Sequence, residues 1–263
     1  MTSLKGRVCV VTGGGQGIGE AIAQAFGAEG ARLAILDRDG GVGEETTRRL
    51  AGEGADARFY QVDVTDEAGV TDVAERVAAD FGGMDVLVNN AGISRIGPSM
   101  TLPLDDWTAS LDVMATGVFL CSREFGRALR AHGGGAIVNI SSINGLVAFP
   151  MRLAYSAAKA AVISMTKVLA VEWARYGIRV NAVAPGITQT AMAKKSFDQG
   201  LLDVEACIQH TPLGRFAEPS EVADSVVYLA SDRSRYVTGE VLVIDGGWTA
   251  YGFIPWSGEP ESQ

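Results

Sequence analysis

The residues from Arg7 to Phe26, RVCVVTGGGQGIGEAIAQAF, leave this chain little choice of fold. The β-branched apolar run Arg7 to Thr12 reads as a buried strand, and it meets glycines at Gly13, Gly15, Gly17 and Gly19. Apolar residues then recur at helical spacing through Phe26. Strand, glycine turn and helix in that order form a dinucleotide-binding unit, which belongs to an open α/β sheet. The spacing G-x-x-x-G-x-G departs from G-x-G-x-x-G but serves the same physics. No Cβ obstructs a pyrophosphate, and the helix N-terminus offers its N–H groups to the anion. A plain strand-to-helix turn is the alternative, though glycines this dense are costly in backbone entropy.

The following elements repeat the strand-helix alternation. A strand at Arg32 to Leu36 ends in Asp37, eighteen residues beyond Gly19. An acid roughly 20 residues on accepts hydrogen bonds from the adenosine ribose and repels a 2′-phosphate, so NAD is expected over NADP. Arg38 follows it and could meet a 2′-phosphate. A charged helix spans Glu44 to Leu50, and a strand at Arg58 to Val62 leads into Asp63 and Val64. Asp63 is also placed to be a helix N-cap ahead of Thr65 and Asp66. Further strands read at Asp85 to Val88, Ala136 to Ser141, Arg179 to Ala184 and Val241 to Ile244, with helices at Leu153 to Tyr176 and after Pro219.

The chemistry concentrates in Asn139 to Lys159, NISSINGLVAFPMRLAYSAAK. Tyr155 and Lys159 are four residues apart, one turn along one helix face, so an ammonium can sit beside the phenol. A free tyrosine titrates near 10, and an adjacent cation favours the phenolate. Lys159 is therefore expected to lower Tyr155, and Ser142 to hydrogen-bond the reacting oxygen. A lone Y-x-x-x-K is common on helices as a surface pair, so its meaning depends on context.

That context is TGGGQGIG, NNAG at Asn89 to Gly92, YxxxK and PGITQT at Pro185 to Thr190, in this order. Together they resemble the short-chain dehydrogenase/reductase family, in its form of about 250 residues, over essentially the whole chain to Gly247. The resemblance implies an α/β fold: a Rossmann-like, doubly wound parallel sheet of about seven strands in a single domain, residues 1–247, followed by the tail 248–263. It implies that Gly13, Gln16, Gly17, Ile18 and Gly19 hold the cofactor phosphates, Asp37 the ribose, and Asp63 and Val64 the adenine. Asn90, Ala91 and Gly92 would lie against the cofactor. Pro185, Gly186, Thr188 and Thr190 would hold the nicotinamide end, with Tyr155 and Lys159 bridging its ribose. Ser142, thirteen residues before Tyr155, is the family serine, and Ser141 a packing neighbour. Asn144 would line the substrate pocket, its alternative being a turn residue before Gly145. Residues from about 190 to 212 resemble a substrate lid.

One departure stands out. Relatives carry an asparagine in V-N-x-x-G-x-F whose distorted backbone holds a water linking the lysine to solvent, whereas this chain reads Val113-Met114-Ala115-Thr116-Gly117-Val118-Phe119. Met114 cannot supply the amide, so the relay is expected to be weakened or carried by the main chain. The aromatic residues of the tail, Trp248, Tyr251, Phe253 and Trp256, are expected to reach a neighbouring subunit of a homotetramer, the alternative being packing on their own chain with 258–263 disordered.

Composition narrows the partners. Lys and Arg number 22 against 31 Asp and Glu, a net charge of −9 that offers no attraction to nucleic acid or anionic lipid. Cys9, Cys121 and Cys207 are odd in number and far apart, arguing against disulfides or zinc, and His132 and His210 lack metal-ligand spacing. No metal is expected. Without a signal-type segment or a roughly 18-residue apolar run, the expected location is cytoplasmic. The expected reaction is hydride exchange between NAD(H) and a small secondary alcohol or ketone, a polyol or cyclic alcohol among the candidates. A 3-ketoacyl thioester reductase and a non-catalytic NAD-binding regulator are the alternatives.

Overall fold

Short apolar runs buried along both faces set the architecture. Every residue of β1 (Val8–Thr12) is buried, as expected for a parallel strand covered by helices on both sides. The computed structural model describes residues 4–198 and 200–252. Its sheet holds β1, β2 (Arg32–Asp37), β3 (Asp56–Gln61), β4 (Val86–Asn89), β5 (Gly135–Ile140), β6 (Ile178–Pro185) and β7 (Val241–Ile244). All pairings are parallel, in the order β3-β2-β1-β4-β5-β6-β7. The single doubly wound domain expected from the sequence is the domain observed.

Alternation along each strand divides the core in two. Val10, Leu36 and Leu87 face α3 (Glu67–Phe81) and α5 (Gly117–His132), against Val73, Val77 and Phe125. Cys9, Val11, Ile35 and Val88 face α1 (Gly17–Ala28) and α9 (Pro219–Ala230), against Ile22, Phe26, Val222 and Val226. Each such side chain contributes roughly 1.5–3 kcal/mol by leaving water. The chain runs outward from β1 to the edge strand β3 and then returns to β4 beside β1. The loops after β1 and β4 therefore part in opposite directions and open a crevice at their carboxyl ends, where ligands bind in such sheets.

Two readings change, and the lid segment gains its helices. Leu153 to Tyr176, comprising α6 (Leu153–Trp173) and a closing 3-10 turn, is 24 residues long and does meet the length and composition of a membrane span. Here it packs on β6, burying Ala154, Ala158, Val162 and Ala170, and carries the buried Lys159. The segment after Thr190 that resembles a lid forms α7 (Ala191–Asp198) and α8 (Val204–His210), the latter capped by Asp203, whose carboxylate accepts the Ala206 N–H at 3.0 Å. Asp63 does not cap a helix; the N-cap of α3 is Asp66.

Candidate active site

The crevice is built around Thr12. Its Oγ1 accepts the N–H groups of Asn90 at 3.0 Å and Ala91 at 3.1 Å. Asn90 returns two bonds through Nδ2, to Thr12 O at 3.0 Å and Gly13 O at 2.9 Å, so the ends of β1 and β4 are locked together. A Cβ on Gly19 would lie 2.0 Å from Gly13 O, which makes this glycine a spacing requirement. Gly17 has φ +60°, and Thr190 from the far side of the crevice leans to within 3.6 Å of where its Cβ would be. Gln16, the N-cap of α1, is exposed and makes no side-chain cap, which leaves the first-turn N–H groups for a ligand. Ile18 packs on the core beneath, and Gly92 lies beside the Met114 thioether.

At the end of β2, Asp37 accepts the Gly15 N–H through Oδ2 at 3.1 Å and the Asp39 N–H through Oδ1 at 3.0 Å. Arg38 turns away to Asp63 at 3.6 Å. Asp63 accepts from Thr65 N–H at 2.9 Å and Oγ1 at 2.8 Å. Burial opposes its ionisation, but these bonds and the Arg38 cation outweigh it and hold the carboxyl below its usual range. Val64 is buried against Gly117, so its side chain serves the core. Opposite, Thr188 pairs with Ala217 through a parallel bridge and donates to Gly186 O at 3.2 Å. Gly186, directly after Pro185, is pressed on Asp245, where a Cβ would meet Asp245 Cα at 2.9 Å. Thr190 Oγ1 accepts the Ala193 N–H at 3.2 Å and starts α7.

Ser142, Tyr155 and Lys159 converge where β5 meets α6. Ser142 is extended and caps the short turn Ile143–Gly145, its Oγ accepting the Asn144 N–H at 3.1 Å. Asn144 is thus a turn residue, and its Oδ1 also lies 3.4 Å from Ser142 Oγ. Ser141 donates to Lys159 O at 2.9 Å and ties strand to helix, as expected of a packing neighbour. Lys159 is 4% exposed; Nζ donates to Ile140 O at 2.7 Å and stands 5.7 Å from the centre of the Tyr155 ring. Burial pushes Lys159 down to about 8. Burial likewise pushes the Tyr155 phenol above its ordinary value, opposed by a hydrogen bond from Ser142 and by the Arg152 cation. The expected net depression of Tyr155 is therefore not found, because desolvation outweighs the Ser142 bond and the Arg152 cation.

Sequence reasoning missed two features here. Arg152, one turn before Tyr155, donates to Ser94 Oγ at 2.9 Å. Met151, preceding it, is the one non-glycine residue with positive φ among those described, at +63°. Met114 is fully buried inside a π turn, Asp112–Thr116, so the backbone distortion exists without an asparagine. The first aromatic residues of the tail make contacts within the chain. Trp248 stacks on Phe149 at 5.4 Å and meets His210 edge-on at 4.3 Å, while Tyr251 lies 5.5 Å from His210. Both aromatics pack on their own chain; Phe253, Trp256 and 258–263 lie outside the described residues. His132 stands 4.0 Å from Asp85, and all three cysteines are buried free thiols.

Residues 13–249 match the family model described as Enoyl-(Acyl carrier protein) reductase. The chain is 42% identical to D-threitol dehydrogenase of Mycolicibacterium smegmatis, over 94% of each chain. A short-chain type dehydrogenase/reductase from Mycobacterium marinum superposes with a TM-score of 0.91 at 34% identity, covering 95% of this chain and 98% of that one. This chain is a short-chain dehydrogenase/reductase. Another member, gluconate 5-dehydrogenase from Burkholderia cenocepacia in complex with NADP and tartrate, is 36% identical with a TM-score of 0.91, over 95% and 98% of the two chains. As a short-chain dehydrogenase/reductase, the protein is an oxidoreductase acting on CH–OH groups of secondary alcohols.

Proposed function

We propose that this dehydrogenase uses NAD, with Tyr155 as acid/base, Ser142 as the oxygen-positioning group and Lys159 as the buried cation behind the phenol. The observation that carries the reading is the placement of Lys159, 4% exposed and behind Tyr155, at the sheet edge that also holds the glycine crevice. A nicotinamide dinucleotide fits that crevice because the start of α1 is uncapped and the glycines leave room for a pyrophosphate. When bound, it supplies the hydride acceptor.

In the oxidative direction Tyr155 takes the hydroxyl proton, Ser142 holds the oxygen, and Lys159 favours the phenolate. Asp37, held over Gly15, supports NAD: its carboxylate suits a ribose diol and opposes a 2′-phosphate, and Arg38 is engaged by Asp63. Asp63 and Val64 would border the adenine. Asn90, Ala91, Gly92, Pro185, Gly186, Thr188 and Thr190 would line the nicotinamide half, and Asn144 the substrate side. Residues 1–247 would form the catalytic unit, with those from about 190 to 212 as its lid. D-threitol dehydrogenase among the relatives supports a polyol or similar small alcohol. A cytoplasmic homotetramer is the proposed working form, supported by free thiols and by apolar side chains exposed on α5 and α6.

The test is NAD(P)H formation by wild type and Tyr155→Phe across polyols, cyclic alcohols, steroids and 3-hydroxyacyl thioesters. The expected outcome is turnover of one alcohol class with NAD that falls at least about a thousandfold in Tyr155→Phe, while NAD still binds. Near-normal turnover in that variant would refute the role of Tyr155. Preference for thioesters with NADP would favour a 3-ketoacyl thioester reductase, and NAD binding without any turnover a regulator.

A further inference from the structure

Among the described residues Arg152, at the start of α6, is a cation without a counter-ion. It is half-buried, three residues before Tyr155, and it is the N-cap residue of α6, so it shares a helix face with the phenol. Its charge acts on Tyr155 and also on Cys207 of α8. A guanidinium carries five N–H donors. Among the described residues Arg152 finds one acceptor, Ser94 Oγ at 2.9 Å, and no carboxylate within ion-pair distance. Arg179, also half-buried, shows the structural alternative: it donates to Leu229 O, Ser234 Oγ, Val237 O and Ser231 O, and so is consumed by its own fold.

A sheltered, under-bonded cation is costly to keep, and this one is held in place at further cost. Met151 adopts φ +63°, a left-handed conformation that disfavours a side chain. Its carbonyl accepts the Gly97 N–H at 3.1 Å, and Arg152 bonds Ser94, so two clips join the loop after β4 to the start of α6. Strain of this kind persists where the surroundings over-determine it, typically at ligand sites.

We propose that Arg152 and Ser94 anchor a carboxylate, and that the preferred substrate is therefore a hydroxy acid whose secondary alcohol reaches Tyr155. The proposal rests on the hydride-transfer reading above and names its substrate class. A guanidinium fork matches the two oxygens of a carboxylate. Ser94, accepting from Arg152, keeps its own proton to donate to the same group. One guanidinium balances one carboxylate, whereas a phosphate dianion would leave charge uncompensated. In a chain of net charge −9, a local cation is what brings an acid to this pocket against the overall field.

The experiment compares kcat/KM for linear and cyclic hydroxy acids with their primary amides, at saturating NAD, in wild type, Arg152→Gln, Arg152→Lys and Ser94→Ala. Two charge-assisted hydrogen bonds predict an acid-over-amide preference of about 100-fold in wild type. In Arg152→Gln that ratio should collapse to within about threefold of one, through KM. Arg152→Lys should keep a preference for the acid, and Ser94→Ala should lose part of it. A ratio unchanged in Arg152→Gln, or a wild-type preference for the amide, overturns the proposal. Circular dichroism excludes misfolding, and Arg152→Lys provides a second readout. A binding measurement separates this proposal from the reaction itself: calorimetry of glutarate with NAD-loaded Tyr155→Phe, with and without Arg152→Gln. If no alcohol turns over, the hydride-transfer reading fails. Glutarate binding that depends on Arg152 still supports the anchor, and binding indifferent to Arg152, or none, overturns it.

Discussion

Lys159 is held in the site at the expense of the fold. Its ammonium is withdrawn from water and given one carbonyl, Ile140 O, and burial brings its pKa from 10.5 down to about 8. A buried cation whose folded pKa lies below its unfolded one weakens the native state at neutral pH. Between pH 8 and about 10.5 the unfolded chain binds more protons, so this penalty fades as pH rises. Lys159→Met is therefore expected to lose turnover by orders of magnitude yet to be more stable at pH 7, by on the order of 3 kcal/mol. The advantage should shrink toward pH 10. Denaturant melts of both proteins at pH 7 and pH 9.5 check this; a variant less stable at both pH values would refute it. The four-residue spacing of Tyr155 and Lys159 was legible in the sequence because helical periodicity is local. That burial would raise Tyr155 rather than let Lys159 lower it was not, because desolvation depends on the strands and turns packed around both.

The glycine loop works by contact as well as by flexibility. Gly19 packs its Cα against Gly13 O and near Asn90 Nδ2, so it sets how closely α1 approaches the ends of β1 and β4. Gly19→Ala places a methyl 2.0 Å from that oxygen and should force the loop open. A loss of about 1–3 kcal/mol in stability is expected from overpacking, with NAD affinity falling more than tenfold because the phosphate-facing N–H groups move together. Fluorescence titration with NAD and a thermal melt test this, and wild-type affinity in a folded variant would sink it. The π turn at Asp112–Thr116 is the counter-example to reading an element from its side chains. Met114 is apolar and fully buried, yet the distortion is present, so it belongs to the packing of α4 (Leu104–Leu111), α5 and α6 and not to the amide that relatives carry.

Among the described residues an apolar surface is left uncovered. Val171 is 81% exposed and Val168 52%, one turn apart on α6, with Phe119 exposed on α5. Exposed apolar residues clustered in this way mark association surfaces. Val168→Glu with Val171→Glu is expected to dissociate the proposed homotetramer, read as a drop in sedimentation coefficient with the circular dichroism unchanged; an unaltered coefficient would place the interface elsewhere. Val168 and Val171 also show how a helix with the length and composition of a membrane span can belong to a sheet protein: one side packs on β6, and the other exposes two valines beside Lys167 and Glu172. By itself the sequence determined the seven strands to within two residues, the glycine crevice at the ends of β1 and β4, and the shared helix face of Tyr155 and Lys159, since each depends on local periodicity and short spacing, while Ser142 was read from the family resemblance. Only the tertiary structure decided that Trp248 and Tyr251 make contacts within their own chain, that Asp63 closes a turn, and that Arg152, one turn before Tyr155, finds among the described residues Ser94 as its one acceptor. These outcomes depend on which distant segments meet, a matter of packing and desolvation that no stretch of sequence carries alone.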